Sequence, residues 1–168
     1  MSDLREYISK VKKIKELKTI KTQVSTKYEI AGITAKVDQS NAVLFENIKE
    51  SDFRLVSNLV GTRKRFALAV GGNESNIHQK VISAIKNAKT PKITSTGKFM
   101  ENKSKNINSM PIVTHFEKES GPFITSSVAY AKNPETGKQN SSFHRMMPID
   151  KTHLSIRMVE GRHLHRCF

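Results

Sequence analysis

Residues 121–147 read GPFITSSVAYAKNPETGKQNSSFHRMM. Two runs rich in β-branched, aromatic and small residues, Phe123 to Ala131 and Ser141 to Met147, flank the turn-forming cluster Asn133, Pro134 and Gly137. Runs of this length with a Pro/Gly interruption predict paired antiparallel strands. Working outward, Ile112 to Phe116 and His153 to Val159 add two further short extended runs, and Gly121-Pro122 marks the turn between the first two. The spacing predicts an antiparallel sheet or barrel from residue 112 onward.

Upstream the period changes. Leu4, Tyr7, Ile8, Val11, Ile14 and Leu17 recur at three and four residues, the stripe of a helix that Ser2 or Asp3 could cap, with Lys10, Lys12, Lys13 and Lys15 outside it. An extended stretch at Thr19–Val24 leads to a second helix, opened by Ser25 or Thr26 and carrying Ile30, Ile33 and Val37. Ala42 to Phe45 and Phe53 to Val60 read as buried strands. Thr62 should cap a helix through Ala69 that ends at Gly71-Gly72, and Asn73 to Ala88 repeats helical spacing through Ile77, Val81 and Ile85. The apolar pattern then thins over about twenty residues rich in Thr, Ser, Asn and Pro, a linker or long loop. The predicted class is therefore α+β, divided into an N-terminal α/β domain with linker, 1–105, and a β-rich domain, 106–168.

Composition limits the function. The 168 residues carry 29 Lys and Arg against 15 Asp and Glu, a net charge of +14. Nine basic and four acidic residues fall in 1–36, six and five in 37–85, six and one in 86–105, and eight and four in 118–168. The excess is thus spread over three regions, mostly as Lys without interleaved aromatics, which reads as solvated surface rather than a nucleic-acid platform. No apolar run approaches the roughly 20 residues of a membrane span, and the charged start Met1–Glu6 has no signal-peptide core. One cysteine, Cys167, excludes an internal disulfide and a Cys-based zinc finger, pointing to a reducing, cytoplasmic compartment.

The polar residues able to carry chemistry lie in the second half. Strand alternation places Asn140 and His144 on one face and Arg145 on the other, unless a bulge intervenes. His163 and His165 alternate after a strand, so they too share a face. Asn and His together can ligate a divalent cation, but two neutral ligands without a carboxylate make a weak site. On spacing alone these imidazoles are ordinary surface or half-buried side chains, and Arg145 an ordinary ion-pair partner. There is no phosphate-binding glycine loop, no nucleophile elbow, and no scaffold around Cys167.

The strings themselves add a resemblance. GPFIT at 121–125, PETG at 134–137, Asn140 followed by His144-Arg145-Met146, and Gly161-Arg162-His163-Leu164 resemble the UbiD family of prenylated-flavin-dependent decarboxylases. Leu4–Tyr7, Tyr28–Ala31, Ala42–Asn47 and Asn58–Arg63 resemble, in order, that family's N-terminal domain.

The resemblance implies a flavin-binding split β-barrel, of which 106–168 would be the first strands. It implies prenylated FMN, with its phosphate held through Mn²⁺, and K⁺ as a further candidate cation. Asn140 and His163 match the family's neutral metal ligands, Thr125 a flavin contact, and Arg145 the active-site arginine that helps orient the substrate carboxylate. The neighbouring His165 is the alternative to His163. The implied reaction is reversible non-oxidative decarboxylation of an aromatic or α,β-unsaturated acid, and archaeal members also act on phosphorylated mevalonate-pathway acids. A flavin prenyltransferase would supply the cofactor, and the full-length family forms homo-oligomers.

Family members run several times further, with the metal-binding Glu and the catalytic carboxylates after the Arg-His-Leu string. The chain is accordingly expected to represent the N-terminal portion and to be inactive alone. The competing readings are a non-catalytic basic module for nucleic acid or an acidic partner, and a plain FMN-binding split barrel.

Overall fold

The computed structural model describes residues 3–97 and 100–168. Helix α1 (Leu4–Lys13) begins where the Asp3 carboxylate accepts the Glu6 N–H at 2.8 Å. Ser2, the other cap considered, lies outside the described residues. Of the apolar stripe, Tyr7 and Val11 are buried while Leu4 is exposed. Strand β1 (Leu17–Ile20) follows, then α2 (Glu29–Lys36), β2 (Ala42–Phe45) and β3 (Leu55–Ser57). β1 runs parallel to β2, with Leu17 opposite Ala42, and β3 runs antiparallel on the other side, with Val43 opposite Ser57. The central position of β2 explains its near-continuous burial, since apolar side chains are needed on both faces of a covered strand.

Helix α3 (Arg63–Ala69) starts at Thr62, whose hydroxyl accepts the Arg65 N–H at 3.2 Å. It stops as the two glycines predict: Gly71 adopts φ 69°, its N–H bonds to the Leu68 carbonyl, and the Gly72 N–H reaches back to Ala67 at 2.8 Å. That pair of bonds is the glycine-dependent helix stop. Helix α4 (Ile77–Lys86) begins four residues later than expected, because Asn73 and Asn76 bond each other's backbone in a turn.

Two cores hold this unit. Val24, Ile30, Val43, Phe45, Ile48 and Val113 form one, and Tyr7, Val11 and Ala42 the other. Val113, from the β-rich half, is buried with the N-terminal residues, and among the described residues none after it is buried.

The sequence-based strands are corrected in several places. Phe53 to Val60 is not a buried strand: only Leu55–Ser57 pair, half-buried, and Phe53 and Val60 are exposed. Neither Ser25 nor Thr26 caps α2, whose first residue follows Tyr28 at φ 70°; Glu29 instead accepts the Ser25 N–H, and the Ser25 hydroxyl donates to Glu50. Thr19–Val24 resolves into the end of β1 and an isolated bridge from Val24 to Ile48.

Beyond residue 112 the pairing is fragmentary, and antiparallel but for one parallel bridge. Ile112 to Phe116 contributes only single bridges, Val113 with Phe123 and Thr114 with Lys27. β4 (Val128–Lys132) and β5 (Gln139–Phe143) form a hairpin, and β6 (Met146–Pro148) and β7 (Leu154–Ile156) another. The run Ser141 to Met147 is thus two strands broken at His144-Arg145. Among the described residues these strands close no barrel.

Candidate functional site

The break at His144-Arg145 follows from the pairing. Ile124 and Met146 exchange both backbone hydrogen bonds, at 2.8 and 3.0 Å, and the next ladder pair is Val128 with Phe143. Thr125, Ser126 and Ser127 therefore stand against only His144 and Arg145. The His144 N–H bonds to the Ser127 carbonyl and the Ser127 hydroxyl to the His144 carbonyl at 2.6 Å. The extra residue consequently falls at Thr125-Ser126, opposite Arg145. A bulge of this kind bends the strand and redirects side chains. Two sequence-predicted site residues, Thr125 and Arg145, thus flank one bulge. The Arg145 guanidinium carbon lies 4.4 Å from the Phe123 ring centroid.

Asn140 and His144 share a face as alternation required, and Ser142 between them links the two. Asn140 Nδ2 donates to Ser142 Oγ at 3.2 Å, and Ser142 Oγ lies 2.8 Å from His144 Nε2. Ala131 and Ala129 are the cross-strand partners of Asn140 and Ser142, so small side chains leave this face uncrowded. With its nitrogen engaged, the Asn140 amide presents its carbonyl oxygen, the atom a hard cation such as Mn²⁺ takes. The donor chemistry of Asn140 fits one position of such a metal site.

His163 sits exposed in the turn after β7, two residues beyond Gly161 at φ 74°. His165 opens a 3-10 turn, His165–Cys167, and its Nδ1 accepts the Gly161 N–H at 3.4 Å. The two are not on an extended segment, so the alternation argument for a shared face does not apply to them. No hydrogen bond among the described residues joins His163 to Asn140, and no group of three or more His, Cys, Asp or Glu there could hold a metal. The structure therefore brings Thr125 beside Arg145 and aligns Asn140 with His144, and among the described residues no hydrogen bond joins His163 to either group.

A cavity of about 890 Å³ lies against the bulge, lined by α2, β3 and the segments 110–116 and 123–126. Phe123 and Thr125 form part of its wall. Its imidazole, His115, is flanked by the largely buried Glu119, which accepts the His115 backbone N–H at 2.8 Å. Sequence reading passed over Phe123 and Ser142. Alternation would have found Ser142, midway between Asn140 and His144; Phe123 carries no local signal.

The model for the 3-octaprenyl-4-hydroxybenzoate carboxy-lyase N-terminal domain matches residues 8–85, and that for the Rift-related domain of the same enzyme matches 86–168. The chain belongs to the UbiD family. It represents that family's N-terminal portion, in agreement with the order of its strings. An anhydromevalonate phosphate decarboxylase of Methanothermobacter thermautotrophicus is 35% identical over 148 residues, 87% of this chain and 34% of the relative. A 4-hydroxybenzoate decarboxylase subunit from Chlamydia pneumoniae is 27% identical, covering 98% of this chain and 33% of that protein.

Among solved structures, an evolved dimeric form of the UbiD-class enzyme HmfF from Pelotomaculum thermopropionicum, in complex with prFMN, superposes with a TM-score of 0.89. The identity is 27%, over 100% of this chain and 40% of that one. The chain thus spans about a third of the length of the curated UbiD relatives it matches. No helix among its described residues is long and apolar enough to cross a membrane.

Proposed function

We propose that this chain is part of a UbiD-type carboxy-lyase that decarboxylates an aromatic or α,β-unsaturated acid reversibly and without net oxidation. The observation that carries the reading is the match of two consecutive UbiD domain models over residues 8–168. The similarity to a structure in complex with prFMN supports prenylated FMN as the cofactor. When bound, that cofactor supplies the electron sink for the carbon losing its carboxylate.

The chain's own residues take the remaining tasks. Arg145 offers a planar fork of donors that pairs with a carboxylate in two parallel hydrogen bonds, orienting the substrate acid. Thr125, on the opposite side of the bulge, would contact the flavin. Asn140 through its carbonyl oxygen and His163 through its imidazole would hold Mn²⁺ at the cofactor phosphate. K⁺, assembly into homo-oligomers and dependence on a flavin prenyltransferase belong to the same proposal. So does the division into an α/β unit, 1–105, and a partial flavin-binding split barrel, 106–168.

The test is a titration of the isotope-labelled 168-residue polypeptide with prenylated FMN and Mn²⁺, followed by NMR. Weak perturbations centred on Thr125, Asn140 and His163, without CO₂ release from a panel of unsaturated and aromatic acids, are expected. Perturbations confined to other residues would refute the site, and turnover would refute the expectation that this length is inactive.

A further inference from the structure

Phe123 both lines the cavity and carries the Arg145 guanidinium over its ring. We infer that Phe123 is a positioning residue for Arg145, holding the guanidinium in place through its ring face. The inference rests on the reading of Arg145 as the residue that orients a substrate carboxylate.

Three observations carry it. First, the 4.4 Å distance from the Arg145 guanidinium carbon to the ring centroid is well inside the roughly 6 Å reach of a cation–π contact. Second, the backbone that carries the ring is anchored. The Phe123 N–H bonds to the carbonyl of Val113 at 3.0 Å, and Val113 is buried in the larger core. Pro122 before it restricts the backbone, and the Ile124–Met146 pair after it fixes the register.

Third, Arg145 needs such support. It stands exposed opposite the bulge, in the gap between β5 and β6, and none of its hydrogen bonds or ion pairs fixes the guanidinium within the described residues. A long side chain in that setting samples many rotamers unless a surface holds it, and each restraint lowers the entropy lost when it binds a carboxylate. Arginine stacks well on an aromatic face while keeping its in-plane donors free, so the ring can hold Arg145 without consuming the fork.

The test uses the labelled 168-residue chain with sodium benzoate as the carboxylate probe. In the unmodified chain the Arg145 side-chain protons should show the upfield ring-current shift of a group above a ring. Phe123→Leu and Phe123→Met should abolish that shift and weaken benzoate binding about 2–5-fold, the worth of an exposed cation–π contact of ~0.5–1 kcal/mol. Phe123→Tyr should restore both. The backbone amide spectrum outside 113–126 and 144–147 is the control for folding. An unshifted Arg145 in the unmodified chain overturns the inference without any variant. So does benzoate binding that drops in Arg145→Gln yet is untouched in both Phe123→Leu and Phe123→Met. If Arg145→Gln itself leaves benzoate binding unchanged, the carboxylate-orienting role of Arg145 fails instead.

Discussion

Arg65 is wholly buried, and within the described residues only one of its guanidinium nitrogens is hydrogen-bonded. Nη1 reaches Glu16 Oε2 at 3.1 Å and the Ser40 carbonyl at 2.8 Å, while Nε and Nη2 are buried without partners. Removing either member of the pair should therefore have unequal effects. Glu16→Ala leaves a buried cation uncompensated, which costs about 3–5 kcal/mol, or roughly 6–20 °C in Tm at this chain length. Arg65→Met removes two bonds but also the unpaired donors and the desolvated charge. It leaves Glu16 with Lys64 at 2.6 Å and partial access to water, and the exposed Ser40 free to bond solvent. Its cost should stay within about 1.5 kcal/mol, because an apolar side chain of similar length often replaces a buried ion at little loss.

The assay is urea and thermal unfolding followed by circular dichroism, for both variants at pH 7. A stability loss from Arg65→Met equal to or larger than that from Glu16→Ala would refute the reasoning. The pH dependence gives a second check. The hydrogen bond from Lys64, with the one from Arg65, holds the Glu16 carboxyl below its ordinary value against the opposing effect of burial. A carboxylate depressed on folding stabilises above its unfolded value, and that stability fades as pH falls through the folded one. Glu16→Gln should flatten this part of the acid unfolding profile and leave the rest unchanged.

Four further outcomes are expected. Gly71→Ala should destabilise by about 1–2 kcal/mol, since φ 69° is costly for a residue with a Cβ although the Cβ itself would meet open space. The same change at Gly32, within α2 and equally uncrowded, should stabilise by about 0.5–1 kcal/mol, and thermal unfolding of the two variants reads the opposite signs. In Asn140→Ala, Mn²⁺-induced broadening of the His163 resonances should weaken markedly; unchanged broadening would show that the two do not share an ion. Affinity for a random DNA duplex should drop by ~1,000-fold or more between about 50 and 200 mM salt, as for non-specific phosphate pairing. Tight, sequence-selective binding at physiological salt would instead favour the basic-module reading.

Much of the N-terminal half was legible because its signals are local. The α1 stripe, the Thr62 cap, the Gly71-Gly72 stop and the Ala42–Phe45 run each lie within a few consecutive residues, where periodicity and capping chemistry operate. The overextension of β3 has a non-local cause. β2 has four residues and pairs three of β3, so Phe53 and Val60 have no ladder to join however strand-like they look. The candidate site divides in the same way. Alternation correctly joined Asn140 and His144, but the placement of Arg145 depended on an extra residue in the strand opposite, and parity failed for His163 and His165 because they do not lie on a strand.

The amino-acid sequence by itself determined the charge balance, the lack of an apolar run of membrane-spanning length, the Thr62 cap and Gly71-Gly72 stop of α3, and the ordered strings that place the chain with UbiD. These are properties of composition and near neighbours. Only the tertiary structure decided that Arg65 is buried, that the Tyr7 hydroxyl donates to a carbonyl 58 residues away, and that Val113 is buried in the N-terminal core. It alone set Arg145 over Phe123 across a bulge. Such contacts depend on which distant segments pair and in which register. A helix or strand period constrains the face a residue presents, but the partner that covers that face is chosen by the closure of the whole chain.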